Sequence, residues 1–465
     1  MKALVAAALA LIAGAAQAQA LRPDQAAFRE IYEELVETNT ALSAGSCTKA
    51  AEQLATRLKA AGYPDADVRV MVDPAHPKEG GLTAVLRGSD ARQKPILLLG
   101  HLDVVEARRE DWTRDPFEFI EEGGYFYGRG VADMKAMDAI WVDTFIRLKR
   151  EGRQPRRTLK MALTCGEETA EAFNGADWLV KNHRELVDAE FVLNEGGGGV
   201  LTADGKYERL SIQVGEKAAQ SYLVTVTNPG GHSSRPRPDN AIYQLAKALL
   251  KIQAHVFPAK FTDTTRVGFE LRARRGDAAG QALTRLMANP SDAEAARIAA
   301  TDVNVNSILH TNCVTTRLDA GHANNALPQR ATAVVNCRIF PGETVEGTRE
   351  TLVRVIGDPE VKVEVIPPVR PIAVSPPLDE KVVGPMKALA AKHFPGVPVI
   401  PAMSSGATDG RYFGPAGIPV YGVPGIFGDP DGNGAHGLNE RIRVRSVYEG
   451  RDYLYDLVKT YIGLR

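Results

Sequence analysis

The sequence predicts an α/β fold whose mostly parallel central sheet is interrupted by an inserted α+β domain of ferredoxin-like topology. Three observations predict it. Short apolar runs alternate with helical periodicities through the first half of the chain. A half-exposed strand pattern replaces them after about Lys217, and the first rhythm returns at about Asp379.

The chain opens with MKALVAAALALIAGAAQAQA, one Lys before a short Ala/Leu-rich stretch and two A-x-A sites. This is a secretory signal pattern, too short to serve well as a membrane span. Residues 1–20 are therefore expected to be a cleavable leader and the protein to be exported, periplasmic or secreted. Residues 21–216 form the first part of the larger domain, 217–370 the insert, and 371–465 the second part. Lys plus Arg (56) nearly balances Asp plus Glu (57). No global field favours nucleic acid or an acidic membrane, and no later segment is apolar enough to span a bilayer. Four cysteines in an exported chain can pair. Their spacing leaves three full pairings open, with Cys313 to Cys337 preferred.

Ile96–Leu99, Leu159–Leu163 and Phe191–Leu193 read as buried strands. Met134, Met137, Ile140, Trp141, Phe145 and Leu148 form the apolar stripe of a helix that Gly152 and Pro155 end. In the insert, a strand at Tyr222–Thr227 precedes a helix carrying Ile242, Leu245, Leu249, Ile252 and Val256. Strands near Ser307–Thr316 and Ala331–Ile339, a helix at Val345–Ile356 and a strand at Val361–Ile366 complete a β-α-β-β-α-β unit. The Ala-rich segment 277–300 reads as an extra helical excursion. In the last part, Val382–His393 is helical and Ile418–Val423 strand-like.

Each strand of the larger domain runs into acids or imidazoles. Leu99 leads into Gly100-His101-Leu102-Asp103, Leu163 towards Glu167-Glu168, and Leu193 into Asn194-Glu195. In an open parallel sheet these carboxyl ends line one edge, where ligands bind. With Asp133, which follows Tyr-Gly-Arg-Gly, four segments deliver charge to one place. Carboxylates that dense need cations, because each uncompensated buried charge costs several kcal/mol. His101 and Asp103 project to the same side of an extended segment, one to bind metal and one to support it. Adjacent Glu167 and Glu168 project differently, which suits one ligand and one proton carrier.

These residues also carry a resemblance. His101-Leu102-Asp103-Val104-Val105, Gly128-Arg129-Gly130-Val131-Ala132-Asp133-Met134-Lys135, Gly166-Glu167-Glu168, Glu195-Gly196-Gly197, Gly230-Gly231-His232-Ser233-Ser234 and His436-Gly437-Leu438-Asn439-Glu440 stand in order along the chain. Together they resemble the motif set of the M20 metallopeptidase and aminoacylase family, across essentially the whole mature chain. The resemblance implies a zinc-peptidase-like catalytic domain with an inserted lid. It implies two divalent ions, zinc first, with cobalt or manganese as alternatives for such a mix of ligands. His101, Asp133, Glu168, Glu195 and His436 become metal ligands, with Asp133 bridging and Asp103 behind His101. Glu167 becomes the general base. His232 becomes the lid residue that reaches the oxyanion, Asn325 and Arg338 the lid pair on substrate, and Arg411 a clamp for the substrate carboxylate, with Arg370 a weaker candidate. The implied substrate is a small peptide or N-acyl amino acid, and a homodimer through the lid is in keeping with the family. Two ions about 3.5–4 Å apart activate a water and polarise an amide carbonyl together.

One departure stands out: Glu106 occupies the place where the family commonly has Pro after the H-x-D-V-V segment. The run Gly196–Gly199 lacks the spacing of a phosphate loop. Neither GxSxG nor HExxH occurs, which disfavours an elbow-type serine hydrolase and the helical zinc proteases. Left open are aminoacylase against carboxypeptidase or dipeptidase, a catalytically silent relative, and a two-lobed solute-binding protein.

Overall fold

The computed structural model describes residues 21–169, 173–423 and 425–464. The expected leader, residues 1–20, lies outside the described residues. No helix among the described residues is long and apolar enough to cross a membrane.

At the centre of the larger sheet, Leu159–Thr164, Ile96–His101, Phe191–Asn194 and Val420–Gly422 lie side by side and parallel. Their sequences explain why. They are apolar runs buried on both faces, as a sheet covered by helices on each side requires. Ile96 and Leu98 pack into one cluster with the helices Pro23–Glu37, Cys47–Ala60, Lys135–Glu151 and Val444–Tyr461. Leu97 and Leu99 point the other way, towards Leu179, Val187 and Phe413. Both flanks begin with antiparallel pairs, and on the second flank Val399–Ser404 and Phe427–Gly428 add parallel ones. Gly81–Leu86 and Val68–Met71 extend one side, and the hairpin Gly197–Leu201 with Tyr207–Glu216 extends the other.

Register sets the site. His101 is paired with Thr164 at the ends of their strands, and Leu98 with Leu193. The segments after all three strands therefore emerge at one edge. Gly100 is needed there because a Cβ would lie 2.1 Å from Asp138 Oδ1 on the helix behind. Gly166 turns the chain with φ +93°, and its missing Cβ leaves room for the Phe173 carbonyl.

The chain passes from Tyr207–Glu216 to Ala218–Thr227 through one residue, Lys217, and so enters a second sheet. Its order is Asn312–Ala320, Arg330–Ile339, Ala218–Thr227, Lys362–Val365, all antiparallel. With helices Ala241–Ala254 and Val345–Ile356 packed on one face, this is the expected split β-α-β-β-α-β arrangement. The excursion is larger than expected: helices Asp263–Ala273, Ala278–Ala288, Ala293–Ala299 and Val303–Leu309 share their own core. The strand expected from Ser307 begins only at Asn312. Asp302 caps the N–H groups of Asn304 and Val305, which commits Ser307 to helix despite its β-branched neighbours. Cys313 and Cys337 are register partners and form a disulfide; Cys47 and Cys165 form a second.

Candidate metal centre

Two groups of ligand atoms meet at the sheet edge. His101, Asp133 and Glu195 form one, Asp133, Glu168 and His436 the other, and the atoms of each lie within 4.8 Å of one another. Asp133 belongs to both, Glu167 to neither. All five residues expected to hold metal are thus brought together from five separate stretches of chain.

In the first group, His101 Nε2 lies 3.5 Å from Asp133 Oδ1 and 3.7 Å from Glu195 Oε1. This nitrogen is buried and has no hydrogen-bond partner. Its spacing from the carboxylates resembles that of ligands around a common centre, since atoms ~2.0–2.2 Å from a tetrahedral ion stand about 3.3–3.6 Å apart. The other ring nitrogen, Nδ1, lies 3.0 Å from the Asp103 carbonyl oxygen. A proton on Nδ1 donated there leaves Nε2 free to bind metal. In the second group, His436 Nε2 lies 3.1 Å from Asp133 Oδ2 and 3.0 Å from the Glu168 carboxylate. His436 holds φ 60°, a left-handed conformation rare outside glycine.

The electrostatics call for positive charge. Burial pushes the His101 pKa down, yet the carboxylates of Glu195, Asp133 and Asp103 outweigh it and drive the imidazole well above its ordinary value. Hydrogen bonds accepted by Asp133 and Glu168 raise His436 to about 10. Burial raises Asp133, but its bonds to His101 and His436 hold it below the usual carboxylate range. Burial, followed by the charge of Glu195, pushes Glu167 well above that range. An orphaned imidazole nitrogen amid acids is a donor set that fits two divalent ions.

Several supports were not legible as such in the sequence. The Asp103 carboxylate was expected behind His101, but it stands 3.7 Å from Nδ1 and accepts from the N–H groups of Glu167 (3.3 Å) and Glu168 (3.0 Å). It holds the paired glutamates as a turn. Glu440, fully buried, accepts from Arg129 Nη1 at 2.7 Å and from the N–H groups of Gly130, Ala132 and Asp133. Arg129 Nη2 in turn donates to the Gly437 carbonyl at 2.7 Å. The pair therefore fixes the bridging Asp133 and the His436 loop relative to each other. Glu106, in place of proline, accepts from Ser43 N and Oγ at 2.9 and 2.7 Å and anchors the loop after His101.

Arg411 is 4% exposed and its Nε has no hydrogen-bond partner. Burial lowers its pKa, but the charges of Asp409 and Glu167 and the Tyr412 hydroxyl more than offset it. Asp409 accepts from Thr164 Oγ1 and Asn174 Nδ2, and Glu216 accepts from Thr408 N and Oγ1, so both ends of the Thr408–Arg411 turn are tied down. The Arg370 guanidinium lies close enough for Arg411 to depress its pKa further after burial has lowered it. His232 and Asn325 lie elsewhere, on the short ribbon Gly231–His232 with Ala326–Leu327, where Ser233 N donates to the Asn325 carbonyl. His232 is exposed and bonded to Ser234 Oγ, and Arg338 is exposed on the second sheet. Among the described residues, no hydrogen bond or ion pair joins these three to the ligand groups.

Residues 97–460 match the family model described as peptidase family M20/M25/M40. The chain belongs to this M20 family. It is 31% identical over 374 residues to the Xenopus tropicalis N-fatty-acyl-amino acid synthase/hydrolase PM20D1, covering 78% of this chain and 71% of that protein. Among solved structures it resembles the M20 metallo-carboxypeptidase Sso-CP2 of Sulfolobus solfataricus, with a TM-score of 0.69 and 20% identity over 96% of this chain and all of that one. It also resembles Bacillus subtilis YXEP, described as a dinuclear metal-binding M20 peptidase, with a TM-score of 0.60 and 13% identity over 95% and 99% of the two chains. The M20 assignment makes the protein a metallopeptidase or amidohydrolase, the mixed α/β fold agrees with it, and a catalytically silent or solute-binding reading loses its footing.

Because Glu440 positions two ligand segments at once, Glu440→Gln should weaken metal binding by about 10- to 100-fold. Competition titration with a chromophoric chelator measures this, and wild-type affinity in the variant would remove Glu440 from the account.

Proposed function

We propose that the protein hydrolyses the amide bond of N-acyl amino acids, using two divalent ions held by His101, Asp133, Glu168, Glu195 and His436. The observation that carries this reading is the pair of ligand groups sharing Asp133 with Glu167 beside them. Bound there, the ions would polarise the amide carbonyl and make a water nucleophilic near neutral pH. Zinc suits imidazole with carboxylate, and cobalt or manganese would serve the same set.

Glu167 takes a proton from the attacking water and delivers it to the leaving nitrogen. Its place in a turn pinned by Asp103 keeps its carboxylate off the ligand groups and free for this task. Arg411, buried with an unused Nε and close to Glu167, receives the substrate carboxylate, and Arg370 adds a second positive charge. A guanidinium suits this role because its planar fork matches a carboxylate. That arrangement selects an amide bond next to a free carboxylate. The likeness to PM20D1 favours an N-acyl amino acid over a peptide. His232, Asn325 and Arg338 would act on the oxyanion and substrate only when the second sheet moves onto the centre or a second copy presents them.

Pairing of two copies through the insert is part of this reading. Asn312–Ala320 is an edge strand with Val314 and Leu318 59% and 62% exposed, an edge that invites a partner strand. The signal pattern and the two disulfides support export to an oxidising compartment.

Glu167→Gln should retain two ions per chain while kcat on N-acetyl amino acids falls roughly 100- to 10,000-fold. Turnover at the wild-type rate would sink the base assignment. Light scattering should find a dimer that Leu318→Asp converts to a monomer, and a monomeric wild type would rule out the pairing.

A further inference from the structure

Four of the five candidate ligands have a visible support behind them. The Asp103 carbonyl stands behind His101, the Asp103 carboxylate holds the turn carrying Glu168, and Glu440 with Arg129 holds Asp133 and the His436 loop. Glu195 is the exception. Among the described residues no hydrogen bond reaches its carboxylate, and its ion-pair contact is His101 Nε2 at 3.7 Å. Beside it lies a cavity of about 20 Å³ whose polar walls are Glu195, Gln213, Glu216 and Thr408, the rest being glycine and small apolar residues.

Glu216 ends the strand Tyr207–Glu216, one residue before the chain enters the first strand of the insert, and it is 5% exposed. Its Oε2 accepts three bonds, from Gln213 Nε2 at 3.1 Å, Thr408 N at 3.1 Å and Thr408 Oγ1 at 2.8 Å. Its Oε1 is buried and has no partner. Thr408 Oγ1 also accepts from Asn194 Nδ2 at 3.2 Å, so this knot joins the Arg411 turn to the residue before Glu195. Glycines allow the close approach. A Cβ on Gly196 would lie 2.4 Å from Gln213 Oε1, and one on Gly422 would lie 2.5 Å from the Glu195 carbonyl oxygen. Burial lifts the Glu216 pKa to about 8, the bonds from Thr408 and the charge of Arg411 pull against it, and the charge of Glu195 adds to it. Both Arg411 and Glu195 are thus within electrostatic reach of this carboxyl.

We infer that Glu216 is a positioning residue for both halves of the site, fixing the Arg411 turn through Thr408 and orienting Glu195 through one buried water held between the two carboxyl groups. The inference rests on the metal centre and clamp proposed above. A buried acceptor without a protein partner is met by ordered water, and about 10–15 Å³ is room enough for one. The two hydrogens of a water suit two acceptors, Glu216 Oε1 and the Glu195 carboxylate. Glu195 then gains the outer support that the other ligands have, and substrate binding at Arg411 shares a tether with metal binding at Glu195.

The test joins density with two binding constants on the metal-loaded full chain. A high-resolution crystal structure should show one water about 2.7–3.2 Å from both Glu216 Oε1 and a Glu195 oxygen. Glu216→Leu, which keeps bulk but no polar group, should weaken the binding of one ion by about 10- to 100-fold in chelator competition. With metal saturating, the same variant should raise KM for N-acetyl amino acids roughly tenfold. Glu216→Gln keeps an oxygen for Thr408 and a polar group towards the water, and should stay near wild type in both. Lys217→Met disturbs the same junction from the insert side, where the ammonium donates to the His310 carbonyl and to Asn312 Oδ1 at 2.8 Å, and should leave both constants unchanged. Density without that water would overturn the inference even if Glu216→Leu fails to fold, as would wild-type constants in Glu216→Leu or equal losses in Lys217→Met. A wild type that binds no ions would instead sink the metal-centre reading, and the density would still judge the water.

Discussion

The structure depends on one electrostatic constraint: Asp103, Asp133, Glu167, Glu168 and Glu195 converge at one sheet edge, and among the described residues two imidazoles, His101 and His436, meet this cluster. Left alone, such a cluster repels itself, and the shifts of its members record the strain of confinement: the imidazoles are driven up to serve as cations, and Glu167 is driven towards protonation. Divalent ions resolve that repulsion more completely than protons. The fold exists around this need, since a parallel sheet with flush strand ends is what brings His101, the Glu167 turn and Glu195 to one edge.

Rigidity comes from groups behind the ligands. Glu440 and Arg129, both buried, join the turn carrying Asp133 to the loop carrying His436, with no solvent to soften the pair. Asp103 does the same for the paired glutamates, and the Cys47–Cys165 bond fastens the start of that turn to the helix Cys47–Ala60. The groups proposed to meet substrate are held differently. Arg411 is fixed by burial and by the tied ends of its turn, whereas His232 and Asn325 ride on an exposed ribbon of the insert. On the proposed reading, chemistry falls to the stiff part of the molecule and oxyanion recognition to a part that must be brought in.

Much of this was legible in the sequence, for physical reasons. Buried parallel strands are continuous apolar runs, so Ile96–Leu99 and Leu159–Leu163 declared themselves, and the polar residues just beyond them marked the site. The candidate metal ligands were readable because the motifs that hold them are local. Glu440 was visible only as part of a motif, because its partners lie more than 300 residues away in sequence. The strand Gly197–Leu201 was hidden by its glycines, and no local propensity reveals that Gly199 packs against Phe427. Ser307 sits among β-branched residues that favour a strand, and the Asp302 cap overrides them in favour of helix. The second disulfide, Cys47–Cys165, spans 118 residues and left no spacing signal.

The most direct measurement is a crystal structure of the full chain grown with zinc, with anomalous data collected on both sides of the metal edge. The account predicts two strong peaks, one among His101, Asp133 and Glu195 and one among Asp133, Glu168 and His436, both contacting Asp133. A single peak, or two that do not share Asp133, would contradict it.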